Sequence, residues 1–245
     1  MYKTDLQKPT GVLVKTTLVD YPDIVACSFF LRGCNLHCPY CYNISLVKNN
    51  ENDIEFSSLE DLFKHLEKRQ GLLEGLVISG GEPLMNPLTK IIIKKAKSLN
   101  YKIKIDTNGL FPTLLEQLLN NEELKPDFIA MDVKTSPNRY ITELFSNKNI
   151  LSNIEEILKK SIDLISTLPT KYREFRTVLV PNIVKKDDIK NIASLLPKDA
   201  AWKFASFQNK NCLDPNYNNL LPYTESEKNE LVEFASQFIA NSKLR

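Results

Sequence analysis

The sequence predicts an α/β fold built on a mainly parallel β-sheet. Short apolar runs rich in β-branched residues alternate with segments of helical periodicity from one end of the chain to the other. At 245 residues and 42% hydrophobic content, the chain can bury one large core. No linker-like stretch divides it. We therefore expect a single domain over residues 1–245.

About six runs are predicted as strands because each is short and apolar. They are Ile24 to Leu31, Gly75 to Ser79, Lys102 to Thr107, Asp127 to Val133, Phe175 to Val180, and Ala201 to Phe207. Repeated βα units of this kind allow either an open doubly wound sheet or a full or partial (β/α) barrel. In both topologies, ligands bind at the carboxyl ends of the strands.

The helical segments between these strands show apolar faces and capping signals. Ser57 precedes Glu60 by three residues and opens an apolar stripe, which predicts a capping box. Thr224 and Glu227 have the same spacing before the last apolar stripe. A third face consists of Ile150, Ile154, Ile157, Leu158, Ile162 and Ile165. We expect most of these faces to pack on the sheet.

The charge balance and the absence of long apolar runs restrict the class of protein. The chain has 32 Lys and Arg residues against 30 Asp and Glu residues, so its net charge is only +2. A dedicated nucleic-acid binder usually carries a stronger positive field. No run approaches the ~18 apolar residues of a membrane span, and the first residues do not form a signal peptide. We therefore expect a cytoplasmic protein that binds neither nucleic acid nor membrane.

Three cysteines after the first predicted strand form the most informative motif. Cys34, Cys38 and Cys41 have CxxxCxxC spacing and offer three thiolates to a metal centre that normally takes four ligands. The fourth position is then open to another molecule. The spacing favours an iron–sulfur centre, although zinc with a ligand from elsewhere is an alternative. Cys27 and Cys212 are interpreted as structural free thiols in a reducing compartment.

A pair of glycines ends the second predicted strand. Gly80 and Gly81 are followed by Glu82 and a proline. Paired glycines allow a ligand to approach the backbone closely, and the glutamate adds a carboxylate to the same turn. A tight connection from strand to helix would use the same residues without any ligand. Taken alone, the motif does not decide between the two explanations.

Charged residues end the next strands. Asp106 and Asp132 close consecutive predicted strands, where two neighbouring carboxylates repel each other unless a cation lies between them. Lys134 or a metal ion could supply that charge. Helix capping by Asp106 and an ordinary salt bridge for Asp132 are simpler explanations. Arg176, a cation within an apolar strand, either pairs with a neighbouring carboxylate or faces an anionic ligand.

In this order along the chain, the motifs resemble the radical S-adenosylmethionine (SAM) superfamily. More narrowly, the sequence from about Gly11 to Pro215 resembles activating proteins of anaerobic ribonucleoside-triphosphate reductase and pyruvate formate-lyase activases. The stretches that carry the resemblance are TLVDYPD, CNLHCPYCYN, ISGGEP, IDTNG, MDVK, EFRTVLVP and LDP. The resemblance implies an α/β fold with a partial (β/α)6 TIM-like barrel of the radical SAM type.

The resemblance also implies the cofactors and the residues that bind them. The three motif cysteines would hold a 4Fe-4S cluster, and SAM would chelate its open iron. The implied SAM-binding residues are Tyr40, Tyr42, Asn43, Gly80, Gly81, Glu82, Asp106, Asp132, Lys134 and Arg176. Relatives usually have His at the position of Tyr42. A monovalent cation beside the SAM carboxylate would be bound by Asp106 and Asp132.

The implied activity is that of a glycyl-radical enzyme activase. Such an enzyme takes one electron from a flavodoxin- or ferredoxin-type donor, cleaves SAM reductively and generates a glycyl radical on a partner, here anaerobic ribonucleotide reductase. We assign no acid–base catalytic residue, because the difficult chemistry belongs to the cofactor. A radical SAM enzyme that modifies a small molecule or a peptide is an alternative. A non-catalytic zinc or iron–sulfur module is a third hypothesis.

Overall fold

The computed structural model describes residues 5–48, 56–146 and 153–245, and the chain divides into two compact units. Unit 1 comprises residues 1–34, 45–106 and 116–128, and unit 2 comprises residues 35–44, 107–115 and 129–245. Cys34 belongs to unit 1, whereas Cys38 and Cys41 belong to unit 2. The expectation of a single domain over residues 1–245 stays a prediction.

Unit 1 is built on a mixed sheet. Its strands are β1 (Pro9–Thr17), β2 (Ala26–Leu31), β3 (Ser57–Ser58), β4 (Gly75–Gly80) and β5 (Lys102–Thr107), in the order β3–β1–β2–β4–β5. β2 pairs in parallel with β4, and β4 pairs in parallel with β5. β1 is antiparallel to both β2 and β3. Neither β1 nor β3 was predicted, because β1 is partly exposed and lacks a clear apolar alternation and β3 has only two residues.

The sheet of unit 2 is parallel. Its strands are β6 (Phe128–Asp132), β7 (Arg173–Leu179), β8 (Trp202–Ser206) and β9 (Ser242–Leu244), in chain order. Their register places Asp132, the last residue of β6, beside Arg176 in the middle of β7. β9 was not predicted, since three residues are too few to show a periodicity. The predicted strands correspond to β2 and to β4 through β8, and their ends differ from the prediction by at most two residues.

Helices follow most of the strands, as the alternating pattern predicts. They are α1 (Ile44–Lys48), α2 (Leu59–Arg69), α3 (Leu88–Ser98), α4 (Pro112–Leu119), α5 (Tyr140–Leu144), α6 (Ile154–Ser166), α7 (Lys186–Leu195) and α8 (Glu225–Ser236). The predicted capping box of Thr224 and Glu227 is confirmed at the start of α8. Ile150 of the predicted isoleucine face lies outside the described residues. Among the residues described, no helix has the length and apolar character needed to cross a membrane.

The capping box predicted for α2 is wrong by one residue. Ser58, not Ser57, caps the helix, and its partner is Asp61 rather than Glu60. Ser57 instead pairs with Gly11 in the short strand β3. The apolar face behind the cap is buried as expected, with Leu59, Leu62 and Leu66 fully inside the core.

Candidate active site

In unit 1, the glycines that end β4 fit against the protein's own backbone. Glu82 N donates to Gly33 O at 2.8 Å. A Cβ added to Gly81 would lie only 1.9 Å from that same carbonyl oxygen, and Gly80 has a φ of +117°. Both positions require glycine for these reasons. The close backbone approach fixes the loop that leads into Cys34.

Glu82 has a clear structural role. Its side chain is fully buried, and Oε1 accepts a hydrogen bond from Leu84 N at 3.0 Å. The carboxylate thereby caps the short 3-10 helix Pro83–Met85, which leads towards α3. The tight strand-to-helix connection, which the sequence left open, is therefore present. The predicted contacts of Gly80, Gly81 and Glu82 with SAM stay predictions.

Asp106, at the end of β5, pairs with a residue that the sequence analysis did not single out. Lys104 Nζ lies 2.5 Å from Asp106 Oδ1, and the lysine side chain is only 1% exposed. Asp106 Oδ2 accepts a hydrogen bond from Ser79 Oγ at 3.0 Å. Residues two positions apart in a strand share a face, so the spacing of Lys104 and Asp106 was a signal for this pair.

In unit 2, Cys38 and Cys41 lie on one turn, in which Cys41 N donates to Cys38 O at 3.0 Å. The loop that carries the LDP motif donates backbone hydrogen bonds to this turn. Leu213 N donates to Cys41 O, and Asp214 N donates to Pro39 O, both at 2.9 Å. A stretch far away in sequence therefore fixes the backbone of the cysteine motif.

The surroundings of Cys41 favour the neutral thiol over the free thiolate. Burial raises the pKa of the Cys41 thiol, while the backbone N–H of Asn43 and the charge of Lys134 oppose the rise. Metal binding deprotonates such a thiol. Tyr42 follows directly and is 66% exposed. Across the described residues, no three side chains of His, Cys, Asp or Glu are grouped as a ready metal site, so the ligand set stays a prediction that the CxxxCxxC donor chemistry supports.

A cluster of opposite charges lies where β6 ends beside the middle of β7. Arg176 Nε donates to Asp132 Oδ1 at 2.7 Å, and Lys134 Nζ donates to Asp132 Oδ2 at 3.2 Å. Burial disfavours the Asp132 carboxylate, but the Arg176 guanidinium and the Lys134 ammonium outweigh it and hold the Asp132 pKa below its usual range. Lys134 thus supplies the positive charge beside Asp132, for which the sequence analysis gave a metal ion as the alternative. Arg176 adds a second positive charge.

Tyr40 is the clearest sign of a polar ligand in unit 2. Its ring is buried, and Oη has no hydrogen-bond partner among the described residues. An unpaired buried hydroxyl costs about 1–3 kcal/mol, so a polar ligand atom at this position would be stabilising. Burial, followed by the Cys38 thiolate, raises the Tyr40 pKa well above its usual value, which keeps the phenol as a donor. This residue fits a bound SAM.

A buried network behind these strand ends was missed from the sequence. Asp188 is 4% exposed and accepts hydrogen bonds from Ser136 Oγ at 2.6 Å, Arg139 Nη1 at 3.0 Å and Lys185 N at 2.9 Å. It therefore ties the start of α7 to the segment that follows Lys134. An aspartate near a helix N-terminus looks like an ordinary cap in sequence, so no signal distinguished it.

The two remaining cysteines, which the sequence analysis interpreted as structural free thiols, are both buried. Burial raises the pKa of Cys27 to about 12, and its Sγ lies 3.9 Å from Gly75 O. Cys212 N donates to Asn218 Oδ1 at 2.9 Å within the LDP loop. Neither thiol forms a disulfide.

Comparison with known families decides the class of this protein. The model of the radical SAM superfamily matches residues 28–196, which include the cysteine motif and the ends of β4 to β7. The chain belongs to the radical SAM superfamily. This superfamily uses a 4Fe-4S cluster and SAM, and the prediction of these two cofactors is confirmed.

Individual relatives narrow the comparison. A Methanocaldococcus jannaschii protein, named as a candidate glycyl-radical enzyme activating enzyme, is 30% identical over 234 residues, which cover 95% of this chain and 94% of that protein. The pyruvate formate-lyase-activating enzyme of Staphylococcus epidermidis is 26% identical over 68% of this chain and 65% of its own. The solved structure of QueE from Escherichia coli is 14% identical, with a TM-score of 0.53 over 98% and 91% of the two chains. Such structural likeness shows the fold and confirms the predicted α/β class of the radical SAM type.

Proposed function

We propose that this radical SAM enzyme is a glycyl-radical enzyme activase. The observation that carries the proposal is the 30% identity to the Methanocaldococcus jannaschii activating-enzyme relative along nearly the whole of both chains. The cysteine content supports it, since only Cys27 and Cys212 lie outside the motif among the five cysteines. Two buried cysteines do not suffice for an auxiliary cluster with four thiolate ligands.

The partner that we favour is anaerobic ribonucleoside-triphosphate reductase. The resemblance of the CNLHCPYCYN, IDTNG and LDP stretches to its activating proteins supports this choice. A flavodoxin- or ferredoxin-type protein would deliver the electron. The smaller overlap with the pyruvate formate-lyase-activating enzyme, 68% of this chain, makes that second partner class less favoured.

The chain's own residues would bind and orient the cofactors. When bound and reduced, the cluster supplies the electron that cleaves SAM to methionine and a 5′-deoxyadenosyl radical, which takes a hydrogen atom from the partner's glycine. The three motif thiolates would hold the cluster. Lys134 and Arg176 would face the SAM carboxylate, and Asp132 keeps both cations in place. The Tyr40 hydroxyl would donate to a polar atom of the nucleoside.

The test is a two-step assay under anaerobic conditions. The reconstituted, dithionite-reduced protein is first incubated with SAM, and the 5′-deoxyadenosine formed is measured by chromatography. It is then incubated with SAM and, in separate reactions, with an anaerobic ribonucleotide reductase or a pyruvate formate-lyase, and electron paramagnetic resonance is recorded. We expect stoichiometric iron, SAM cleavage and a glycyl doublet. Cys41→Ala should abolish cleavage, while the matched control Cys27→Ala, a buried cysteine of unit 1, should retain it.

The outcomes separate the hypotheses. A protein that binds one zinc and no iron would be a non-catalytic metal module. Iron binding with no SAM cleavage by the wild type would reject the enzyme. Cleavage without a glycyl doublet on either partner class would reject the activase and favour a radical SAM enzyme that modifies a small molecule or a peptide.

A further inference from the structure

Lys104 is a lysine inside the core of unit 1. Its side chain is 1% exposed, and lysine is almost never buried to this extent without a partner. Its strand, β5, pairs with β4, so that Lys104 lies beside Val77. The Phe128 ring centre is 5.8 Å from Nζ and adds a weak cation–π contact. An ammonium group in these surroundings needs an anion close by.

Asp106 is that anion. Lys104 Nζ lies 2.5 Å from Oδ1, and Ser79 Oγ donates to Oδ2 at 3.0 Å. Both oxygens of the carboxylate therefore already interact with donors of unit 1. The side chain of Asp106 is 15% exposed, so little of the carboxylate is left for water or ions.

Asp132, in unit 2, is compensated independently. Arg176 takes one carboxylate oxygen at 2.7 Å, and Lys134 takes the other at 3.2 Å. Each of the two aspartates that the family resemblance assigns to a monovalent cation thus has a protein cation of its own. The donor set does not fit a bound Na⁺ or K⁺, because a further cation at Asp106 would be repelled by the Lys104 ammonium.

We propose that Lys104 is a built-in counter-cation for Asp106 and that this protein binds SAM without a monovalent metal ion. The inference rests on the proposed function only in taking SAM as the ligand. Lys104 is a positioning residue, since it acts on the site through Asp106. A fixed ammonium orients the Asp106 carboxylate whatever the salt composition of the solution.

The first test uses the wild-type holoprotein. SAM binding is measured by equilibrium dialysis in KCl, NaCl and tetramethylammonium chloride at equal ionic strength. The tetramethylammonium ion is too bulky to replace Na⁺ or K⁺ at a carboxylate site. We expect the same Kd, within twofold, in all three salts. A Kd at least tenfold lower in KCl or NaCl would overturn the proposal.

The second test uses Lys104→Met, which removes the charge and keeps the length of the side chain. In tetramethylammonium chloride, the variant should bind SAM at least tenfold more weakly than the wild type, and Na⁺ or K⁺ should restore part of the affinity. The matched control is Lys102→Met, on the same strand but with its side chain 55% exposed, which should behave as the wild type. Unchanged SAM binding by Lys104→Met in tetramethylammonium chloride would also overturn the proposal.

A thermal melt of the cluster-free protein separates this inference from the proposed function. Na⁺ or K⁺ should leave the wild-type Tm unchanged and raise the Tm of Lys104→Met by about 3 °C, an increment of about 1 kcal/mol for a chain of this size. If the wild type binds no SAM in any salt but its Tm is insensitive to Na⁺ and K⁺, the proposed function fails and the role of Lys104 stands. If the variant does not fold, SAM binding by the wild type in the three salts still tests the proposal.

Discussion

Asp106 and Asp132 end two of the predicted strands with the same residue type, yet their surroundings differ. Asp106 has one cation, Lys104, which comes from its own strand and is 1% exposed. Asp132 has two cations, Lys134 and Arg176, from the segment after β6 and from β7, and its side chain is 30% exposed. The first is a closed ion pair within a core, whereas the second is an open cluster.

The difference indicates two different roles for the two carboxylates. A buried pair tolerates no loss of one partner, because the other charge is then left uncompensated in a low-dielectric region. A partly exposed cluster with two cations and one carboxylate is able to accept an anionic ligand at smaller cost. We therefore expect Asp106 to act through the fixed position and charge that Lys104 gives it, and Asp132 to contact the ligand through its cations.

The largest effect is expected from breaking the closed pair. Lys104→Met should lower the free energy of unfolding by about 3–5 kcal/mol, because Asp106 would be left without its cation. The double variant Lys104→Met/Asp106→Asn should recover most of this loss, since both charges are then gone. Denaturant unfolding measures both. A single variant as stable as the wild type would show that the pair is no more important than a surface salt bridge.

A smaller effect is expected from titrating the open cluster. The Asp132 pKa is lowered in the folded protein, mainly because Arg176 and Lys134 outweigh burial, while an unfolded Asp titrates near ~3.9. The contribution of the Asp132 carboxylate to the free energy of unfolding is therefore fully present above about pH 4. It declines as the pH falls and is lost below the pKa of Asp132 in the folded protein. The difference in unfolding free energy between wild type and Asp132→Asn should shrink by about 1–2 kcal/mol between pH 5 and pH 2. A difference that is constant with pH would contradict this.

The smallest effect is expected at Tyr40, beside the open cluster. Tyr40→Phe removes a buried hydroxyl that has no partner among the described residues, so the cofactor-free protein should gain about 1 kcal/mol in unfolding free energy, the low end of the cost of such a hydroxyl. The same variant should bind SAM more weakly, because the hydroxyl is proposed to reach the ligand. Tyr217→Phe, in the LDP loop, is the control. Loss of stability in Tyr40→Phe would mean that the hydroxyl already has a partner.

Much of the fold was predictable because local patterns dominate it. β5 begins at Lys102 and ends at Thr107, as predicted, since its apolar residues alternate and polar residues bound it. β1 was not predicted because it is a partly exposed strand without a clear apolar alternation. The α2 cap moved from Ser57 to Ser58 because β3 uses Ser57, a long-range pairing that no local signal shows.

The site was predictable where spacing carries chemistry. The sequence singled out Asp132, Lys134 and Arg176, and the parallel register of β6 and β7 brings Asp132 and Arg176 together as expected of consecutive strands. The sequence analysis missed Lys104, because a lysine in a strand normally faces the solvent. It also missed Asp188, whose partners Ser136 and Arg139 are about fifty residues away in sequence.

The sequence by itself determined the alternation of strands and helices and the resemblance to the radical SAM superfamily, because periodicity and the order of motifs are properties of the chain itself. Only the tertiary structure decided which charges compensate one another. Burial depends on what packs around a side chain. The sequence around Lys104 does not show whether this lysine lies on the surface or in the core. The same reason explains Gly81, whose need for glycine comes from Gly33, nearly fifty residues earlier.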